Sequence, residues 1–376
     1  MPYNPREPTT TSTMRSLNLP HNPRIDEIRC LAASLVFFFH YYLHVYHPPL
    51  ETLAHPGWTW FSIVTEGHTG VGLFFTLSGF LFMQIALHHE TINYREFIRN
   101  RFLRIFPLFI TVFFIAISIG RDSFRAQDVF YVLFSNLGEA PTSKGFITGA
   151  AWTISVEFTF YLIFPFLGRF AIEYGPRYLV KLLVLLFLVK LAAYGVTERS
   201  THMLFSTLVG RLDQFLIGML AAFAWRRWQP QFKRWGKPMV VLAAALAVAN
   251  SAVQARYGSF FSTEPKQAFW VTWSMQESAV WAFFIVAWLA ADLRKPDWLD
   301  RLLQHGGDIS FSFYLLHALV IYLVYTWLGT PALTGRPHVD GLLMLALTFG
   351  ATWAVATLSF NTIEQPFLRL RHRYGS

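Results

Sequence analysis

Charged residues are scarce in this chain. Asp, Glu, Lys and Arg make up 14% of its 376 residues, against about a quarter in a soluble globular domain. Hydrophobic residues fill 54% of the sequence and aromatic residues 18%. That composition argues against a soluble fold, and the long apolar runs described below account for it. It indicates an integral membrane protein.

Cysteine is almost absent as well. The single cysteine, Cys30, excludes a disulfide within the chain and a zinc site built on several thiolates. Cys30 falls in the first apolar run, where a small packing residue is expected. Residues 1–24 are polar and lack the apolar core of a signal peptide. We therefore expect them to form a mobile cytoplasmic tail.

Ten apolar runs are each long enough to cross a bilayer, which takes about 20 residues. Backbone groups in lipid must bond within their own segment, so each run is predicted to be helical. The runs are continuous rather than alternating, which argues against a barrel. We predict an all-α integral membrane protein, a bundle of about ten transmembrane helices in a domain spanning 25–370, followed by a cytoplasmic C-terminal tail, 371–376. The runs are roughly 28–46, 70–88, 104–120, 152–170, 178–196, 204–225, 237–254, 275–293, 308–328 and 341–363.

The basic residues lie mostly between these runs. The net charge is +9, which in a soluble protein would raise nucleic acid as a partner. With the N-terminus inside, 22 of the 31 Lys and Arg residues fall in cytoplasmic segments and seven in outer ones. Because cytoplasmic loops carry the excess of Lys and Arg, we predict that both ends are cytoplasmic and that nucleic acid is not a partner.

The first run begins with Arg29 and carries His40 eleven residues later, about 16 Å along a helix. Arg29 is thus expected near the cytoplasmic face and His40 near the bilayer centre. The pair would suit a ligand with an anionic head and a reactive end, with the imidazole taking a proton from a hydroxyl. An interface-anchoring arginine and a hydrogen-bonded core histidine are the alternative. His44 and His47 permit a metal site by spacing, but no third ligand stands out and no metal is predicted.

The second run is rich in small residues and contains Ser78, Gly79 and Phe80 near the expected depth of His40. Ser78 could act as a nucleophile or as a hydrogen-bond donor. For the glycines, close helix packing is the favoured interpretation. Ahead of the third run, Arg101 and Arg104 share one helix face and could clamp a phosphate. Taken by themselves, Arg101 and Arg104 are better explained as ordinary positive-inside charge.

Several further polar residues fall inside the runs. Glu157 in the fourth run could orient a catalytic histidine or pair with Arg211. Arg211 and Asp213 in the sixth run are too close in sequence to face one another, so each requires a partner elsewhere, in a structural or acceptor-contacting role. Glu277, Tyr314 and His317 are further candidates, with packing as the default.

The sequence resembles the acyltransferase family 3 membrane proteins over about residues 24–370. It is similar to the family in the spacing of Arg29 and His40, in the glycine-rich second helix, and in the Arg101-x-x-Arg104 pair. Seven segments occur in the family's order: RIDEIRCLAASLVFFFHYY, GVGLFFTLSGFLF, FIRNRFLRIFPLF, AWTISVEFTFYLIFPFL, RLDQFLIGML, ISFSFYLLH and NTIEQPF. One departure is Phe158, which follows Glu157 where the family often has a polar residue.

The resemblance implies a ten-helix core and a cytoplasmic acyl-CoA donor. It makes Arg29 and His40 essential, and it makes Arg101 and Arg104 donor-site residues. We also assign Gly79 and Phe80 to the donor site. Some relatives add a C-terminal esterase-like domain, whereas this chain ends soon after its last helix. We expect no tightly bound cofactor, with acetyl-CoA or another acyl-CoA serving as donor substrate.

These inferences combine into a hypothesis of O-acylation, with acetyl favoured, of a hydroxyl on a glycan or glycolipid at the outer face. His40 would be the general base, oriented by a carboxylate such as Glu157, and Ser78 or a backbone amide would stabilise the oxyanion. An acyl-enzyme on His40 or Ser78 is an alternative. The expected setting is a bacterial inner membrane, among membrane lipids and possible glycan-export machinery. The rival classes are a transporter or flippase without covalent chemistry, and a lipid-binding sensor or scaffold.

Overall fold

The structure is a computed structural model that describes residues 18–44, 59–89, 92–120, 122, 124–126, 129–130, 150–196, 201–257, 267–329 and 333–374. Helices account for nearly all of these residues, and no strand occurs among them. The predicted all-α fold is confirmed.

Among the described residues, ten helices have 12 or more residues, and shorter helical segments connect some of them. In chain order they are α1 (Pro23–His44), α2 (Thr69–His89), α3 (Tyr94–Ile119), α4 (Trp152–Tyr174), α5 (Pro176–Val196), α6 (Leu208–Arg256), α7 (Phe269–Ala290), α8 (Asp297–Asp308), α9 (Ser310–Leu328) and α10 (Pro337–Ser359).

Seven helices of the described chain are long and apolar enough to cross a membrane. They are α2, α3, α4, α5, α6, α9, and α10 with its continuation to Leu368. The predicted runs fall on α1 to α7, α9 and α10, with two of them on α6. The chain is thus a multi-pass membrane protein, while the count of ten spans and the cytoplasmic ends stay predictions.

Helix α6 accommodates two predicted runs because it is long and bent. Its 49 residues would rise about 74 Å at about 1.5 Å per residue, roughly twice the thickness of a bilayer core. The backbone leaves helical geometry at Trp228, and Pro230 and Pro238 follow. Proline removes a helical hydrogen bond and bends the helix at such a place. The bend separates one membrane-length segment before Trp228 from another after it.

Helix α2 lies at the centre of the bundle and packs closely against α6. A Cβ atom on Gly79 would collide with the backbone carbonyl of Phe215, and one on Gly218 would collide with the carbonyl of Thr76. Glycine at both crossing points lets the two backbones touch, as small residues do in membrane helix pairs. The packing interpretation of Gly79 therefore agrees with its place in the structure.

Candidate active site

Two adjoining cavities open at one end of the bundle. The outer one, called the basic cavity, has a volume of about 730 Å³ and lies between α1, α2, α3 and the two described ends of the chain. Four of its lining residues are arginines, and one is a carboxylate, Asp26. The arginines are Arg29, Arg101, Arg104 and Arg371. Such a surplus of positive charge is typical of a site for an anionic group.

The arginines of the basic cavity crowd one another. Burial, with Arg104 and Arg101 nearby, lowers the pKa of Arg371 to about 10. Asp26 offsets part of this charge by accepting a hydrogen bond from Arg29 at 3.0 Å, and it also lies 2.9 Å from the ring of His21. An anion bound among these guanidinium groups would relieve their mutual repulsion.

The inner cavity, called the deep cavity, has a volume of about 760 Å³ and reaches into the helix bundle. It shares Arg29, Arg101 and Arg104 with the basic cavity. Beyond these arginines its walls are largely apolar side chains of α2, with Ser78 from α2, Glu157 from α4 and Tyr314 from α9. The three arginines predicted to hold an anionic head thus stand where the two cavities meet.

Glu157 lies in the wall of the deep cavity with two hydroxyl donors. Ser78 donates to Glu157 Oε1 at 3.2 Å, and Tyr161 donates to the same oxygen. Tyr161 follows Glu157 by four residues and so shares its helix face. The structure thus brings together two residues predicted to be catalytic, Ser78 and Glu157, in an arrangement that fixes both side chains.

His40 contacts a second histidine. Its Nδ1 lies 2.9 Å from the carbonyl oxygen of Val36 and 3.1 Å from Nε2 of His317, whose Nδ1 in turn lies 2.5 Å from the carbonyl oxygen of Tyr314. A carbonyl only accepts hydrogen bonds. The partners therefore assign a hydrogen to Nδ1 of both rings, so that His317 Nε2 accepts from His40 Nδ1. In this tautomer, Nε2 of His40 is the basic nitrogen.

Helix α9 connects the histidine pair to the deep cavity. Tyr314 lines the cavity, and its ring centroid lies 5.8 Å from that of His317. The Tyr314 hydroxyl is held at 2.9 Å by Thr153 Oγ1 and donates to the carbonyl of Ala150 at 3.0 Å. The predicted orienting group, Glu157, lies with Ser78 and Tyr161, and the described ring partner of His40 is His317. This pairing differs from the carboxylate pairing that the sequence suggested.

The two charged residues of α6 find the separate partners that their spacing required. Arg211 forms an ion pair with Glu277 at 3.6 Å, and Asp213 forms one with Lys190 at 2.6 Å. The alternative pairing of Glu157 with Arg211 is not the one in the structure. None of these ion-paired residues lines the two cavities, and they lie buried between α5, α6 and α7. Their placement favours the structural interpretation.

Gly79 and Phe80 lie away from the cavity walls. Gly79 faces α6, and Phe80 is buried in the hydrophobic core. Their assignment to the donor site gains no support from this placement. In the described part of the chain, no three His, Cys, Asp or Glu residues group as metal ligands. The side chain of His44 and all of His47 lie outside the described residues.

Several cavity residues escaped the sequence analysis, among them Tyr161, Arg371 and Tyr374. Tyr161 had a usable signal, its spacing of four from Glu157 on one helix. Arg371 and Tyr374 had none, because a short polar stretch at the end of a chain resembles a tail. In the structure Tyr374 is buried, and both residues line the basic cavity.

The fold and the site define the class of protein: a helical multi-pass membrane protein with an arginine-lined cavity and, adjoining it, a deeper cavity whose walls carry Ser78, Glu157 and Tyr314. The family model described as an acyltransferase domain matches residues 22–359. The chain belongs to this family, acyltransferase family 3, and the resemblance seen in the sequence is confirmed.

Three curated relatives are 25–27% identical to this chain over the aligned residues. Nodulation protein 10 of Rhizobium leguminosarum bv. viciae is 27% identical over 93% of this chain and 94% of its own length. Acyltransferase MdmB of Streptomyces mycarofaciens is 26% identical over 93% of this chain and 92% of its own length. O-acetyltransferase OatA of Staphylococcus aureus is 25% identical over 81% of this chain but only 53% of its own length. No solved structure matches.

Proposed function

We propose that this protein is an O-acyltransferase that moves an acyl group, most simply acetyl, from cytoplasmic acyl-CoA to a hydroxyl of a glycan or glycolipid at the outer face of a bacterial inner membrane. One observation carries the proposal. Arg29, Arg101 and Arg104 meet where the basic cavity opens into the deep cavity, whose wall residue Tyr314 contacts the histidine pair. The family and the relatives named as acyltransferases support it.

The donor fits the order of groups along the two cavities. Its phosphates would bind the guanidinium groups of Arg29, Arg101 and Arg104, which match phosphate oxygens in shape and charge. Its uncharged thioester arm would lie along the apolar wall of α2 beyond them. The reacting carbonyl would then stand near Ser78 and Tyr314. His317, the partner of His40, follows Tyr314 by three residues on α9.

The chemical step is a direct transfer. The acceptor hydroxyl loses its proton to His40 Nε2 as its oxygen bonds to the thioester carbon. The tetrahedral oxyanion would be stabilised by a hydroxyl donor of the deep cavity, such as Ser78, whose O–H would turn from Glu157 Oε1 to the oxyanion. The carbon–sulfur bond then breaks, and the CoA thiolate takes the proton back from His40. An ester and free CoA thiol are the products. Acylation of Ser78 or His40 first would be a two-step version of the same transfer.

The first test is release of free CoA thiol by the purified protein in nanodiscs. Acetyl-CoA and succinyl-CoA would be supplied as donors, with a crude cell-envelope glycan extract as the acceptor. We expect thiol release above that of empty nanodiscs, together with labelled acyl groups on the glycan fraction. A transporter, flippase or lipid-binding scaffold would release no thiol, and that outcome with every donor and acceptor would refute the proposal.

Replacing Arg104 with Ala should weaken donor binding. Losing charge-assisted hydrogen bonds to a phosphate corresponds to a rise of about 10- to 100-fold in KM for acyl-CoA. The matched control is Arg95→Ala. Arg95 lies in the first turn of α3, and its side chain is exposed and outside both cavity walls. Steady-state kinetics at varied donor concentration measures both. Equal KM values in the two variants would remove Arg104 from the donor site.

A further inference from the structure

The C-terminal residues 371–374, called the C-terminal strap, close one side of the basic cavity. We propose that the strap holds Arg101 in place for a phosphate-bearing ligand, and that Tyr374 is the positioning residue that does so. The identity of the ligand as acyl-CoA rests on the proposed function. The role of the strap requires only that the basic cavity binds phosphate groups.

Four hydrogen bonds fix the backbone of the strap to the rest of the described chain. His372 donates its backbone N–H to Asn100 Oδ1 at 3.0 Å, and Asn100 Nδ2 donates to the carbonyl of His372 at 2.6 Å. The N–H of Tyr374 donates to Asn18 Oδ1 at 2.8 Å, and its carbonyl accepts from the N–H of Asn93 at 3.3 Å. Chain ends are poorly ordered unless such contacts hold them. These contacts place both ends of the described chain against the start of α3.

Tyr374 connects the strap to Arg101. Its hydroxyl accepts a hydrogen bond from Arg101 Nη2 at 2.7 Å, and its side chain is 1% exposed. The Arg101 guanidinium also lies 4.9 Å from the ring centre of Phe82 and 5.6 Å from that of Phe97. Anchoring one nitrogen and covering the planar faces leaves few rotamers available to the side chain. The entropy cost of ordering Arg101 is then met during folding rather than when a ligand binds.

The anchored Arg101 keeps donor capacity for a ligand. Its Nε is buried and has no hydrogen-bond partner among the described residues. A buried N–H without a partner is costly, and it is expected where a ligand supplies the acceptor. Arg101 lies in the walls of both cavities, so an acceptor oxygen at their junction would meet this requirement. If the strap had only a structural role, it would not explain why the Arg101 Nε donor is left without an acceptor.

Tyr374→Phe is the sharpest test, because it removes the hydroxyl and keeps the ring that packs 5.4 Å from Phe97. The variant and the wild type would be titrated calorimetrically in nanodiscs with CoA and, separately, with inorganic pyrophosphate. We expect the Kd for both ligands to rise about 10-fold, with KM for acyl-CoA rising equally and kcat and the melting temperature unchanged. Arg373→Ala is the matched control, since Arg373 is an exposed residue of the same strap.

A second variant removes the whole strap by ending the chain at Leu370, which also deletes Arg371. We expect a larger loss of CoA and pyrophosphate binding than in Tyr374→Phe. Unchanged Kd values in Tyr374→Phe would overturn the strap proposal, and so would a fall in kcat and melting temperature with KM constant. Pyrophosphate binding without CoA binding in the wild type would refute the acyl-CoA donor alone. Binding of neither ligand would refute both proposals.

Discussion

Replacing His40 with Ala is expected to reduce acyl transfer about 1,000-fold, in the middle of the range for loss of a general base. Donor KM should stay near the wild-type value, because the arginines that would bind the donor phosphates line the two cavities, whereas His40 lies outside both cavity walls. The measurement is steady-state CoA thiol release in nanodiscs with a saturating acceptor extract. Normal expression and an unchanged melting temperature would show that the loss is chemical.

The reason for so large an effect is the hydrogen-bonded arrangement of the two histidines. The carbonyls of Val36 and Tyr314 place a hydrogen on Nδ1 of His40 and of His317, which makes Nε2 of His40 the basic nitrogen. When that nitrogen takes a proton, the positive ring still shares its single Nδ1 hydrogen between the Val36 carbonyl and His317 Nε2. Both acceptors are in place before the reaction, so they stabilise the charge without reorganisation.

Two variants of His317 test whether this residue stabilises the protonated ring of His40. His317→Ala removes the ring acceptor and should lower kcat about 10- to 100-fold, less than loss of the base itself. His317→Gln can present an amide oxygen near the position of Nε2 and should recover part of the loss. The control is His305→Ala on α8, a part-buried histidine that is hydrogen-bonded to Thr357 and lines neither cavity. Full activity of His40→Ala would refute the assignment of His40 as the general base, regardless of the results with the His317 variants.

The fold followed from the sequence because its signals are local. Each apolar run is long enough to demand a helix in lipid, and the run at 237–254 lies on a helix although a bend at Trp228 joins it to the preceding one. Close packing was favoured for Gly79 from residue size, and it packs against the backbone of Phe215, whereas its assignment to the donor site gains no support. The exact helix boundaries, and the presence of α8 between two predicted runs, depend on packing between distant segments. Local sequence patterns do not predict that packing.

The candidate site could be predicted only in part, because most of its contacts join residues that are far apart in the sequence. Arg29, Arg101 and Arg104 could be grouped because two share a helix face and the third opens another apolar run. The partner of His40 could not be found, since His317 lies 277 positions away and histidine is as common in satisfied cores as in sites. The place of Tyr374 in the cavity wall could not be predicted either, because it depends on four tertiary hydrogen bonds of the strap backbone.

The second large effect concerns stability. Lys190→Ala is expected to lower the free energy of unfolding by about 3–5 kcal/mol, because it leaves the buried carboxylate of Asp213 without its cation. Lys190 Nζ lies 2.6 Å from Asp213 Oδ2 and also donates to the Gly210 carbonyl at 2.7 Å and to Ser274 Oγ at 2.9 Å. The side chains of the pair are 1% and 0% exposed. The measurement is unfolding in mixed micelles with increasing SDS.

A double variant separates the cost of an orphaned charge from the value of the pair. Replacing Lys190 with Met and Asp213 with Leu removes both charges and keeps apolar volume, so most of the lost stability should return. Charges in a membrane bundle usually mark function, yet this pair lies outside both cavity walls. If the double variant unfolds like the wild type and still releases CoA thiol, Lys190 and Asp213 only hold α5, α6 and α7 together. If it is stable but inactive, the buried charges take part in the reaction, and the chemistry cannot be confined to the arginine and histidine groups.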